Sequence, residues 1–226
     1  MSTELILIRH GNAVRVHGDY LHAPLTALGQ QQATQTGQYL RLVHQPIGGF
    51  VTSPVRRAKE TAGIIGRQIN ETPAVEPDMR EMEILEAPVL ALFEALSVLD
   101  PVEDYLETHA GRPLWWPLQG RVSKALTEIL AMYPDRCVAV VAHSGVISSV
   151  LAWFFPEQRL HWWLTQVGNC SLTRLRVNEA RAELLAVNET HHLTSVSPTI
   201  QPASRTVELA TRVLRTRAAP SERESG

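Results

Sequence analysis

Two stretches constrain the fold more than anything else in this chain. "LILIRH" runs from Leu5 to His10, and "CVAVVAH" from Cys137 to His143. Each is a short, wholly apolar run without polar alternation, and each ends in a histidine. Such runs suit strands buried on both faces of a parallel sheet, with helices above and below. In open sheets of that kind, ligands bind beyond the carboxyl ends of the strands. Both apolar runs reach histidine at that end, so the topology alone draws His10 and His143 towards one another.

The rest of the chain alternates accordingly. "PLTALGQQQATQTGQYLRLV" reads as a helix with Thr26 as its N-cap and Leu28, Ala33, Tyr39, Leu40 and Val43 mostly on one face. "GGFVTS" is a second strand ended by Pro54, and "VRRAKETAGIIGRQI" a second helix packing through Ala58, Thr61, Ala62 and Ile65. A third strand is expected over 73–77. Residues 118–132 resume an amphipathic helix with Val122, Leu126, Ile129 and Leu130 inward, and "VISSVLAWFF" is a helix after the second apolar strand. Ser144 is expected to cap that helix. "SLTRLRV" and "AELLAV" alternate and lie close in sequence, so they read as late antiparallel strands. Strands alternating with helices predict an α/β domain on a mainly parallel sheet. The stretch 86–117 is irregular and cap-like, with Trp115 and Trp116 either in the core or in an apolar lid. From about 197 to 226 the composition turns to Ser, Thr, Pro and Arg, which predicts a polar, mobile tail outside a domain spanning 1–196.

Composition narrows the function classes. The chain has 226 residues and a formal net charge of -2, so no global basic field points to nucleic acid or an anionic membrane. Any electropositive site must be local. Two cysteines exclude a disulfide-rich scaffold and a four-cysteine zinc site; Cys137 reads as a buried free thiol. The N-terminus has no secretory pattern and the apolar run near "VLAWFF" is far short of a membrane span, so a cytoplasmic protein is expected. The tail or the apolar 88–99 stretch could contribute to a homodimer.

Four motifs occur in order: "RHG" after the first strand, "SPVRRAKETA" after the second, "MREMEI" further on, and "VVAHSGVI" after the later strand. Together they resemble the histidine phosphatase superfamily, over roughly residues 4–193. "PLTALGQQQA", "NCSLTRL" and "VNETHHL" resemble the helix and closing strands of that family. The resemblance implies a three-layer α/β/α sandwich of the phosphoglycerate mutase-like type. It also implies metal-independent hydrolysis of a phosphomonoester on a small phosphorylated metabolite, without a cofactor, through a phosphohistidine on His10.

The residue chemistry agrees with that implication. A phosphomonoester is a dianion at neutral pH; breaking it requires neutralising its oxygens, an in-line nucleophile and a proton for the leaving group. Arg9 and Arg57 can supply planar forks for the phosphoryl oxygens. In "SPVRRA" the family pattern selects Arg57 and leaves Arg56 as the variable position. A neutral His10 can attack phosphorus, and nearby arginines disfavour its imidazolium. Its other ring nitrogen is expected on a backbone carbonyl, with Gly11 permitting the tight turn. His143 is expected to hydrogen bond the phosphoryl oxygens, the imidazolium being one form it could take. Glu81 is the chosen proton donor to the leaving oxygen, with Glu83 the runner-up and Glu86 third. Asn12 is placed as a polar contact near the phosphate, against the alternative of a turn residue.

Blander roles compete with these. Arg9 could pair with a carboxylate at a strand end, and Glu81 could be a surface acid beside Arg80. His191 and His192 are adjacent, show no metal-ligand spacing, and His192 is expected to support the closing loops. Within the family, Ala13 and Val16 replace the polar Ser/Thr and Asn that the mutases carry after "RHG". That favours a phosphatase over phosphoglycerate mutase-type phosphoryl transfer. "YLHAPLT" lacks the acid that often precedes "LT", and "EILEAP" lacks the usual glycine and "WEG". These departures leave substrate identity open. They also motivate a third reading, a weakly active phospho-ligand binding or regulatory module.

Overall fold

The computed structural model describes residues 2–14, 22–43, 46–81, 116–158, 167–178 and 181–193. Six strands form one sheet: β1 (Thr3–Arg9), β2 (Ile47–Thr52), β3 (Ala74–Val75), β4 (Cys137–Ala142), β5 (Leu172–Val177) and β6 (Ala182–Glu189), in the order β3-β2-β4-β1-β5-β6. β3, β2, β4 and β1 pair in parallel; β5 is antiparallel to both β1 and β6. Among the described residues four α-helices accompany it: α1 (Ala27–Val43), α2 (Arg56–Ile69), α3 (Trp116–Met132) and α4 (Ser144–Phe154). The mainly parallel α/β architecture expected from the sequence is the one observed.

The pleat explains the two apolar runs. Successive strand residues face opposite sides, and Leu5, Ile6, Leu7 and Ile8 are all fully buried. Leu5 and Leu7, with Val138 and Val140 of β4, join a core built with Leu118, Val122, Leu126 and Ile129 of α3 and Val146, Ile147 and Val150 of α4. Ile6 and Ile8, with Ala139 and Val141, join a second core with Ala33 and Leu40 of α1 and Ala58, Ala62 and Ile65 of α2. The sheet is thus the middle of three layers. Each buried aliphatic of β1 contributes roughly 1.5–3 kcal/mol.

Several elements differ in detail from expectation. The third strand is two residues long; Pro73 precedes it and Pro77 opens a 3-10 turn (Pro77–Met79), and proline cannot donate to a ladder. α3 starts two residues earlier than expected, with Pro117 in its first turn, where a missing N–H costs nothing. The buried face of α1 is Gly29, Gln32, Ala33, Thr36, Gly37 and Leu40, while Val43 is 58% exposed. Ser144 is not the cap of α4: His143 occupies the N-cap position with extended backbone and no side-chain cap bond, and Ser144 is the first helical residue. Cys137 is only half-buried, and Cys170 is the fully buried cysteine; both are free, and burial pushes both thiols up to about 12. Of the irregular stretch 86–117 only the backbone of Trp116 and Pro117, in the first turn of α3, is described. Trp115, the remainder of that stretch and the 197–226 tail lie outside the described residues.

Candidate active site

β1 and β4 end level with one another. Arg9 pairs with Ala142 in register, and the His10 amide donates to the Ala142 carbonyl (2.9 Å). The two histidines that follow therefore emerge side by side, ring centroids 5.2 Å apart. β2 ends beside β4 as well, with Thr52 opposite Val141 and the Ser53 amide donating to the Val141 carbonyl (2.9 Å). The chain then turns at Pro54 into α2, which carries Arg57 in its first turn. Three parallel strand ends thus deliver His10, His143 and Arg57 to one place.

Arg57 joins the two rings. Its Nε donates to His10 Nε2 (3.0 Å), and its Nη2 lies 3.1 Å from His143 Nδ1. A guanidinium only donates, so both of those ring nitrogens must be acceptors and carry no proton. The proton of His10 therefore sits on Nδ1, which donates to the Gly11 carbonyl (2.8 Å). That is the backbone tie expected from the sequence. The proton of His143 sits on Nε2, which donates to Ser53 Oγ (2.8 Å). His10 is 6% exposed, Arg57 2% and His143 not at all. Burial, then the Arg9 and Arg57 charges, hold His10 well below the usual imidazole range. Burial, then His10 and the Arg57, Arg9 and Arg121 charges, do the same to His143. Both rings are neutral here, so the imidazolium considered for His143 is not the form this arrangement holds.

Arg9, His10, Asn12, Arg57 and Asn169 line a cleft whose remaining wall is apolar, from Ala13, Val14 and Ala23. Arg9 also donates through Nη1 to the Val167 carbonyl. Asn12 lines the cleft, and its Oδ1 accepts from Thr26 Oγ1 (2.8 Å), the same hydroxyl that caps α1 through Gly29 N (3.1 Å). Glu81 follows the 3-10 turn and meets the first turn of α4, with Gly145 N donating to its Oε2 (3.4 Å). It stands beside the His143 loop rather than among the cleft-lining residues. Glu83 and Glu86 lie outside the described residues.

Some supporting residues lie within the quoted stretches but are not singled out there as site residues. Asn169 donates from Nδ2 to the His10 carbonyl (2.9 Å), and Thr61 Oγ1 accepts from the Gly11 amide (3.0 Å). Ser53 belongs to the quoted "SPVRRA" motif, but nothing in a lone serine names His143 as its partner. His192 holds the far side of the strand end. Its Nε2 reaches the Cys170 carbonyl and Thr36 Oγ1, both at 3.1 Å, while Cys170 N donates to the Arg9 carbonyl (2.9 Å). Among the described residues no cluster of three or more His, Cys, Asp or Glu side chains could hold a metal ion. No described helix is long and apolar enough to cross a membrane.

The model of the histidine phosphatase superfamily, branch 1, matches residues 5–190. The chain belongs to that superfamily. As a histidine phosphatase family member it is 29% identical over 200 residues to a Bacillus subtilis (strain 168) protein named uncharacterized phosphatase PhoE, covering 84% of this chain and 97% of that one. It is 28% identical over 198 residues to a probable phosphoglycerate mutase, GpmB, of Salmonella paratyphi A, covering 79% and 86%. Its fold is shared with a phosphoserine phosphatase of Entamoeba histolytica solved in complex with 3-phosphoglyceric acid. That match has a TM-score of 0.66 and 22% identity, and covers 84% of this chain and 99% of that chain.

Proposed function

We propose that this histidine phosphatase family member hydrolyses a small-metabolite phosphomonoester without a metal, in two steps through a phosphohistidine on His10. One observation carries the reading: the Arg57 guanidinium bridges the unprotonated nitrogens of His10 and His143 beside a cleft that Arg9 also lines. With Nδ1 tied to the Gly11 carbonyl, the lone pair of His10 available for attack is on Nε2. A phosphoryl group entering the cleft takes over the Arg57 and Arg9 donors, which frees Nε2. Nε2 attacks phosphorus, the bond from phosphorus to the leaving oxygen breaks, and the Glu81 carboxyl gives that oxygen its proton. Water then attacks phosphorus, gives a proton to the Glu81 carboxylate, and the phosphorus–nitrogen bond breaks to release inorganic phosphate. His143 Nδ1 faces the same guanidinium and takes up a proton to donate once the dianion stands against it.

The protein is expected to hydrolyse an aryl phosphate in excess chelator. An alkaline rapid quench should trap a base-stable, acid-labile phosphoryl group on the wild type and none on His10→Ala. Full turnover by His10→Ala would overturn the mechanism. The mutase reading draws on the GpmB likeness, and product analysis separates it: isomerised phosphoester without phosphate release. Ala13, which lines the cleft without a polar group, favours hydrolysis. A binding module predicts phosphate-analogue binding with negligible turnover. The reading includes a cytoplasmic location, in keeping with two free thiols held protonated by burial.

A further inference from the structure

Arg121 lies on α3, outside all four motifs, and spends its guanidinium on main chain. Nη1 donates to the carbonyls of Asp78 and Arg80, both at 2.6 Å, and Nη2 to the carbonyl of Glu81 (3.0 Å). One side chain thus grips three carbonyls within a run of four residues. The segment it grips is the exit of the 3-10 turn, anchored below by the fully buried Met79. Beyond the grip, the Glu81 carboxylate rests against the amide of Gly145 at the start of α4. A Cβ at Gly145 would lie 2.4 Å from Glu81 Oε1, so the glycine leaves the space that the carboxylate fills.

We propose that Arg121 is a positioning residue for Glu81: it fixes the peptide that carries the acid, and Gly145 seats the carboxylate. This rests on the reading of Glu81 as proton donor to the leaving group. A clamp on main chain acts on the direction of the Glu81 side chain, whereas the Arg121 charge on His143 bears on both esters alike. Misplacing a reacting group by about 1 Å can cost up to about a hundredfold in rate. The loss should fall where the proton is needed, on the breaking bond to a poor leaving group.

The test compares kcat/KM, which reports the steps up to the first phosphoryl transfer, for an alkyl phosphate and for p-nitrophenyl phosphate, whose nitrophenolate leaves unprotonated. Arg121→Met should lower kcat/KM for the alkyl ester by about ten- to a hundredfold and leave the nitrophenyl ester within about threefold. Glu81→Gln should show the same selectivity, larger, and the double variant should be no worse than Glu81→Gln alone. Gly145→Ala keeps the fold, because the atom it displaces is the end of a flexible side chain, and should reproduce the pattern with Arg121 intact. Selective loss in Glu81→Gln with equal loss, or none, for both esters in Arg121→Met overturns this inference and spares the mechanism. No selectivity in Glu81→Gln overturns the acid role and the inference with it. A wild-type protein that turns over neither ester overturns the hydrolase reading itself.

Discussion

His143 has an unusual pair of neighbours for a fully buried imidazole: a cation on one nitrogen and a hydroxyl on the other. The hydroxyl sets the tautomer. Ser53→Ala would leave the buried Nε2 proton without its acceptor. That costs about 1–3 kcal/mol, and it releases the ring to turn. Urea unfolding should show the loss of stability, and kcat/KM should fall with it; unchanged stability would mean another acceptor takes the proton. The residues of the site divide by how they announce themselves. His10 and His143 were legible because a histidine at the end of an apolar strand is conspicuous, and Arg57 through the likeness of "SPVRRA" to the family pattern. Ser53, Asn169 and Thr61 were not, since a neutral polar side chain shows its purpose only beside its tertiary partner. Arg121 was hidden for a further reason: it reads carbonyls, and carbonyls leave no mark on the side-chain sequence.

At the scale of elements, α1 is the informative one. Its existence, its Thr26 cap and the inward Ala33 and Leu40 were legible, but the rest of its buried face was not. Hydropathy favoured Leu28 and Val43, whereas the helix buries Gly29, Gln32, Thr36 and Gly37. Small residues let it come close to its neighbours. A Cβ at Gly29 would sit 2.0 Å from the Asn12 carbonyl oxygen, and one at Gly11 would sit 2.6 Å from the Gly29 carbonyl oxygen. The loop after β1 is thus pressed onto the start of α1 backbone to backbone. Gly29→Ala should destabilise by about 1–3 kcal/mol or more, since main chain cannot step aside, and should displace Asn12 in the cleft. Gly63 in α2 is the contrast: its Cβ would meet only Arg67 Nη1 at 3.9 Å. Gly63→Ala should stabilise by up to about 1 kcal/mol through helix propensity. Thermal melts of the two variants should move in opposite directions; a shared direction would mean the close approach is not what decides Gly29.

At the scale of the whole molecule, three of the described histidines are held neutral by burial. His10 and His143 are held well below the ordinary value, chiefly by burial, and His192 is lowered to about 4, again chiefly by burial. The His192 shift has a visible cause: Nε2 faces a carbonyl, so a second proton would sit on Nδ1, which is buried with no partner among the described residues. The unfolded chain protonates all three near 6.5, and the folded chain does not. Stability is therefore full above about pH 6.5 and falls as the pH drops, with the His192 share exhausted near pH 4. Urea midpoints taken from neutral to mildly acid pH should decline, and His192→Gln should flatten the slope; an unaltered slope would exclude His192 as a contributor. The level ends of β1 and β4 carry a last consequence, a kinetic one. The histidine pair is contributed by strands more than half the chain apart, so no local fragment holds it. Non-local parallel pairing is slow, whereas the helices that flank β2 form from nearby residues. On dilution from denaturant, helical signal should return before turnover does, and recovery of phosphate release should time the moment at which the first strand finds the fourth.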